Sequence, residues 1–183
     1  MKSILKSLFL ITAAIFSIVA GAQEVQPMLG QTAPSFTLKA IDGKTYSLEQ
    51  LRGKYVVIHF AATWCPFCNA EAPYLQELSK NYRDKGVEVF IVDVKEDKAI
   101  VEKSLARFNF SFPVLLDEDG AVSTKYAPDG VQPDLARHEV PLASNLIIDK
   151  EGKIRFYSLL NTTSFDAKLT KLKEKLDSLL NSK

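Results

Sequence analysis

Residues 55–68 read Tyr-Val-Val-Ile-His-Phe-Ala-Ala-Thr-Trp-Cys-Pro-Phe-Cys. The first eight are almost continuously apolar and rich in β-branched side chains, the composition of a central strand buried on both faces. Pro66 is tolerated in a first helical turn, where its missing N–H would have no partner within the helix. Phe67, Ala70, Tyr74, Leu75, Leu78 and Tyr82 then recur at helical spacing up to Gly86, a stop signal, with Pro73 expected to kink the helix. Cys65 therefore falls at the N-terminus of a helix that leaves a buried strand, and Cys68 lies one turn inside it. They are the only two cysteines of the chain.

Working outward, strand and helix signals alternate. On the N-terminal side, Phe36 and Leu38 alternate with polar residues, Asp42-Gly43 is a turn dipeptide, and Thr45–Leu48 resumes the alternation, so a β-hairpin is expected. On the C-terminal side, Val87–Val94 reads as a second buried strand, 97–108 as a second helix and 113–116 as a short strand. Such alternation argues for a βαβ unit with parallel strands. Residues 128–139 carry prolines, a glycine and several charges and read as a surface loop. Strands at 142–148 and 153–160 flank Asp149-Lys150-Glu151-Gly152, where Gly152 can take a positive φ. Phe165, Leu169, Leu172, Leu176 and Leu179 form the stripe of a last helix over 164–180. With 183 residues, 46% of them hydrophobic, the chain fits one domain with a well-buried core.

The N-terminus has a different character. Lys2 and Lys6 precede an apolar run, Leu8 to Ala20, that ends in Ala20-Gly21-Ala22, the pattern of a secretory signal peptide cut before Gln23. The run is shorter than the roughly 20 residues that span a bilayer, so no stable span is expected after cleavage. The expected organisation is thus a signal peptide at 1–22, a flexible mature terminus at 23–33 and one domain at 34–183, exported to the periplasm or beyond. Removing the leader takes away two lysines and no acids, which turns the formal charge from +1 to −1. With no basic stripe, nucleic acid is not an expected partner.

Export places the cysteines where disulfides persist. A structural staple would close a long loop, because a longer loop constrains the unfolded chain more, and a ring of four residues constrains almost nothing. The spacing therefore points to a redox pair. A thiolate is the attacking species, and an ordinary cysteine, with a pKa of about 8.5, is mostly protonated at neutral pH. Free N–H groups and the positive dipole end of a helix favour the anion at Cys65, while Cys68, more shielded, can resolve the mixed disulfide.

At these residues the chain resembles the exported thioredoxin-like thiol-disulfide oxidoreductases, the TlpA/ResA-like redoxins. The resemblance rests on Ala33-Pro34-Ser35-Phe36, Gly53-Lys54, the run from Phe60 to Cys68, Glu71-Ala72-Pro73, and Leu146-Ile147-Ile148-Asp149. It implies an α/β thioredoxin fold, a central mixed β-sheet flanked by helices, with the N-terminal β-hairpin as an extension. It also implies disulfide exchange with thiol- or disulfide-containing exported proteins, a membrane thiol electron donor, and no cofactor or metal beyond the Cys65–Cys68 pair. In such proteins a cis-proline faces the cysteines and presents backbone to substrate; Pro141, preceded by Val140, matches that place. Trp64, Pro66 and Phe67 complete the implied substrate surface. Glu71 matches a helix glutamate involved in proton handling, its alternative being a solvated carboxylate. His59 stands where thioredoxins carry a buried acid; it is either a hydrogen-bonded core histidine or a group exchanging protons with Cys68.

The dipeptide between the cysteines departs from the usual pattern, with Pro66 first instead of second, as in strongly oxidising enzymes of this fold. The N-terminal hairpin and Glu71 favour a reductant, which leaves an oxidant and a non-catalytic thioredoxin-fold binding module as the alternatives. A peroxide-reducing pocket would need Thr and Pro where Ala62 and Ile58 stand. A c-type haem site would need His in place of Asn69, and a structural zinc site more ligands than two cysteines and two distant histidines supply.

Overall fold

The computed structural model describes residues 28–182. Seven strands form one mixed sheet: β1 Thr37–Ala40, β2 Thr45–Ser47, β3 Tyr55–Ala61, β4 Val87–Val94, β5 Val114–Asp117, β6 Ser144–Ile148 and β7 Ile154–Ser158. Their spatial order is β2-β1-β5-β4-β3-β6-β7. β3 runs parallel to β4, β4 parallel to β5, and β6 antiparallel to β3, so β3 is hydrogen-bonded on both sides, as its unbroken apolar composition requires. The hairpin β1–β2 is an antiparallel addition beyond β5. Among the described residues there are four α-helices: α1 Pro66–Tyr82, α2 Lys98–Leu105, α3 Ala121–Lys125 and α4 Thr170–Asn181. This is the mixed sheet flanked by helices, with a hairpin extension, that the resemblance implies.

Because side chains alternate across a strand, the sheet divides the core in two. Val57 and Ala61 of β3, Val89 and Ile91 of β4 and Ile147 of β6 pack with Leu75 and Leu78 of α1 and Leu172 and Leu176 of α4. Val56, Ile58 and Phe60, with Phe90, Val92, Leu146 and Ile148, turn to the opposite face and meet Phe36, Leu48 and the Tyr126 that follows α3. Each fully buried Leu or Ile contributes about 2 kcal/mol relative to exposure. The alternation also fixes where polar residues within these strands must point. His59, Asp93 and Asn145 share parity with the first group and so face α1, buried at 0%, 2% and 3% exposure.

Several expectations about boundaries are corrected. Order begins before Pro34: Gly30 N–H donates to the Ile154 carbonyl, Ile154 N–H to Gln31, and Ala33 N–H to Gly152, so residues 30–33 are held against the start of β7 and are not a flexible terminus. The last helix begins at Thr170, not near Ser164, because Leu169, though buried with Leu172 and Leu176, takes a left-handed φ of 55° that a right-handed helix cannot include. α2 stops at Leu105, and the short α3 was not foreseen. α1 runs on through Pro73. The expected leader and the terminus up to residue 27 lie outside the described residues. No helix among the described residues is long and apolar enough to cross a membrane.

Candidate functional site

The site is built where β3 ends and α1 begins. Cys65 is the N-cap of α1, in extended conformation, and its sulfur accepts the N–H of Cys68 at 3.2 Å. This is the helix-end donor geometry that stabilises a sulfur anion. Cys65 and Cys68 are joined in a disulfide, with Cα atoms 5.4 Å apart. Both are 4% exposed. Around them Trp64, at 63% exposure, and Pro66 lie open to solvent. Phe67 is half-buried, packed edge-on against Phe165 with ring centroids 4.9 Å apart.

Beneath the sulfurs, on the same face of the sheet, lies a polar chain inside the core. Cys68 and Glu71 are one turn apart on α1, so both look down on β3 and β6. Asn145 Nδ2 donates to Glu71 Oε1 at 2.9 Å, which leaves Asn145 Oδ1, 3.0 Å from His59 Nδ1, as the acceptor. His59 therefore carries its proton on Nδ1, and its free lone pair is on Nε2. Glu71 is 3% exposed, which rules out the solvated-carboxylate alternative. Burial pushes its carboxyl up to about 8, opposed by the Asn145 hydrogen bond and helped by the nearby charge of Asp166. The same loss of water lowers His59 to about 4, against the bonds from Asn145 and Ser144 that favour its charge. Glu71 Oε2 lies 3.6 Å from His59 Nδ1; with the acid protonated and the imidazole neutral, this is a contact between uncharged groups.

The structure thus brings Cys65, Cys68, His59, Glu71, Trp64, Pro66 and Phe67 together. It does not place Pro141 as expected. No peptide bond among the described residues is cis, Val140 is 2% exposed and Pro141 is buried, so neither offers a surface to substrate. The physical reason is the winding of 136–144: Val140 N–H bonds to Ala136, Leu142 N–H to Glu139 and Ser144 N–H to Pro141, successive turns that draw Val140 and Pro141 inward. The residue of this segment that is buried in the core cluster with both cysteines is Ala143, whose φ is 56°. Its N–H donates to the Phe60 carbonyl at 2.9 Å, a bond that a proline there could not make. Cys68 Sγ lies 3.9 Å from that same carbonyl.

Asn145, Asp93 and Ala143 were missed from sequence. The signal for the first two was present: each is a polar residue inside an apolar strand run, where a buried polar group needs a partner. Ala62 and Ile58 are plain core residues, 2% and 0% exposed. No group of three or more His, Cys, Asp or Glu side chains able to hold a metal ion occurs among the described residues.

A Cys-x-x-Cys disulfide capping the helix that leaves the central strand of such a sheet defines a class, the thiol-disulfide oxidoreductases of the thioredoxin fold, and this chain is one of them. Residues 29–157 match the AhpC/TSA family, and the chain belongs to it. It is 36% identical over 150 residues to the thiol-disulfide oxidoreductase ResA of Geobacillus thermodenitrificans, covering 81% of this chain and 80% of that one. The ResA of Bacillus thuringiensis is 33% identical over 149 residues, 80% of each chain. Among solved structures, a putative protein disulfide isomerase from Bacteroides thetaiotaomicron superposes with TM-score 0.67 at 25% identity, over 84% of this chain and 91% of that one. A putative thiol:disulfide interchange protein DsbE from Chlorobium tepidum shares the fold, with TM-score 0.68 at 23% identity over 84% and 98% of the two chains.

Proposed function

We propose that this protein reduces disulfides in exported proteins, with Cys65 as the attacking and Cys68 as the resolving sulfur. The observation that carries the reading is the Cys65 sulfur at the helix N-cap, accepting the Cys68 N–H, with its partner sulfur bonded beside it. In the reduced enzyme the Cys65 thiolate attacks a substrate disulfide; a mixed disulfide forms and one substrate sulfur leaves as a thiolate that takes up a proton. Cys68 then gives up its proton and attacks Cys65. The mixed disulfide breaks, the second substrate sulfur leaves, and the enzyme carries the Cys65–Cys68 bond, two electrons having passed to the substrate. Holding the second thiol one helical turn away makes this step effectively intramolecular.

Trp64, Pro66 and Phe67 form the face that meets the substrate chain, and His59 and Glu71 handle protons beneath the sulfurs. A thiol donor at the membrane returns the enzyme to the dithiol form. The leader at 1–22 directs the chain out of the cytoplasm, and cleavage after Ala22 frees it into the periplasm or an equivalent compartment. Insulin reduction tests the reading: wild type is expected to turn over and Cys65→Ser to lose all activity. Intact client binding by a wild type without turnover would assign the chain to the binding modules.

A further inference from the structure

A second buried carboxyl lines the same small cavity as the resolving cysteine, outside the His59–Asn145–Glu71 chain. Asp93 lies on β4, where Ala61 of β3 pairs with it and His59 pairs with Ile91 two residues earlier, so the Asp93 and His59 side chains rise from neighbouring strands on the α1 face. Both line one small cavity, together with Cys68, Asn69 and Ala72 of α1 and the apolar Leu105, Phe108 and Phe110. Two polar atoms of these residues, His59 Nε2 and Asp93 Oδ1, are fully buried and have no hydrogen-bond partner. An orphaned buried polar atom costs about 1–3 kcal/mol, so two on one cavity call for a shared partner. The cavity leaves about 20 Å³ open to the centre of a water molecule, close to the roughly 10–15 Å³ that one water needs.

We propose that Asp93 is a positioning residue for Cys68, acting through one water held between Asp93 Oδ1 and His59 Nε2, and that it takes up the Cys68 proton during resolution. This rests on the disulfide-exchange reading above and adds to it the route of one proton. Both facing atoms are acceptors, so the water donates to both and turns its lone pairs to the cavity's donor, the Cys68 S–H of the dithiol enzyme. With the Asp93 carboxyl ionised, the Cys68 proton passes to the water as the Cys68 sulfur attacks Cys65, and a proton of the water passes to the Asp93 carboxylate. No electrons move in this transfer, so the disulfide chemistry is left balanced as written.

The carboxyl also has an exit. Asp93 is hydrogen-bonded to Glu96, and burial together with that neighbouring charge pushes it up to about 8. Glu96 is partly exposed and accepts both the N–H and the hydroxyl of Thr63, two residues before Cys65. Protons gained at Asp93 thus reach solvent through Glu96. The ionisable groups around Asp93 are His59 from β3 and Cys68 from α1, which share the cavity with it, and Glu96 beyond β4, which is hydrogen-bonded to it. Arg107, after α2, is bonded to Asn69 Oδ1 at its rim, and Glu71 lies on the far side of the imidazole.

The test separates the two chemical steps in the full chain. Alkylation of reduced protein measures Cys65, and release of a preformed mixed disulfide measures resolution by Cys68, each as a function of pH. Asp93→Asn is expected to leave Cys65 alkylation within about twofold of wild type, to slow release at least tenfold above about pH 8, where the wild-type carboxyl is ionised and can accept the proton, and to remove the inflection that Asp93 gives the wild-type release profile. Glu96→Gln removes the neighbouring charge and is expected to move that inflection to lower pH. Release from Asp93→Asn superimposable on wild type would overturn the proposal. If Asp93→Asn does not fold, a Glu96→Gln profile unmoved from wild type overturns it instead. A wild type with no Cys65-dependent exchange would refute the exchange reading itself, a result distinct from either of these.

Discussion

Replacing Glu71 by Gln keeps the shape of the side chain and removes its titration, and the effect on stability can be worked out with its sign. The folded-state carboxyl is pushed up from 4.5 to about 8, chiefly by burial. Between those values the folded protein holds a proton that the unfolded chain has lost, so this group's contribution to stability is full below about pH 4.5 and declines as pH rises towards 8. Each such group gives about 1.4 kcal/mol per pH unit. Asp93, raised from 3.8 to about 8, acts in the same direction. His59, lowered from 6.5 to about 4, acts oppositely, because between those values the unfolded chain holds the extra proton. Above about pH 6.5 the histidine is neutral in both states and two carboxyls remain, so wild type is expected to lose about 3 kcal/mol per pH unit up to about pH 7.5. Glu71→Gln should lose about half that. Urea unfolding of the oxidised protein, followed from about pH 5 to about pH 7.5, measures both curves. The gap should widen steadily in favour of the variant as pH rises. Parallel curves would show that Glu71 is ionised in the folded protein and that the argument from burial is wrong.

Trp64 is largely exposed, so Trp64→Ala is expected to change stability by no more than about 0.5 kcal/mol while raising KM for insulin severalfold; a KM equal to that of wild type would remove Trp64 from the substrate face. The Cys65/Cys68 couple, equilibrated with glutathione, is expected nearer to about −270 mV than to about −120 mV. A value in the oxidising half of that range would reverse the direction of electron flow and keep the class of chemistry.

The sheet and the cysteines were legible in the sequence because their signals are local. An apolar β-branched run, a proline in a first turn and a two-residue spacing each need only a short stretch of chain to be read. Pro141 shows where local reading stops. Its match to the substrate-facing proline depended on how residues 136–144 wind, and the turns there bury it and bring Ala143 to the sulfurs' cluster instead. Leu169 is similar: its apolar periodicity fits a helix, but the left-handed backbone at that position delays the helix to Thr170. The polar chain beneath the cysteines joins β3, α1 and β6, residues up to 86 positions apart. His59 and Glu71 could be named one at a time, but their link through Asn145 appears only once the strands are paired in register.

The backbone bonds that hold residues 30–33 against the start of β7 also bear on how the molecule avoids sticking to its own kind. A bare outer strand offers unpaired N–H and C=O groups to any passing chain. β7 lies at one border of the sheet, and part of that border is occupied by the protein's own N-terminal segment. The opposite border is β2, only three residues long. One border of the sheet is thus partly covered by the chain itself and the other is kept short, so neither offers a long row of free backbone groups to a second copy.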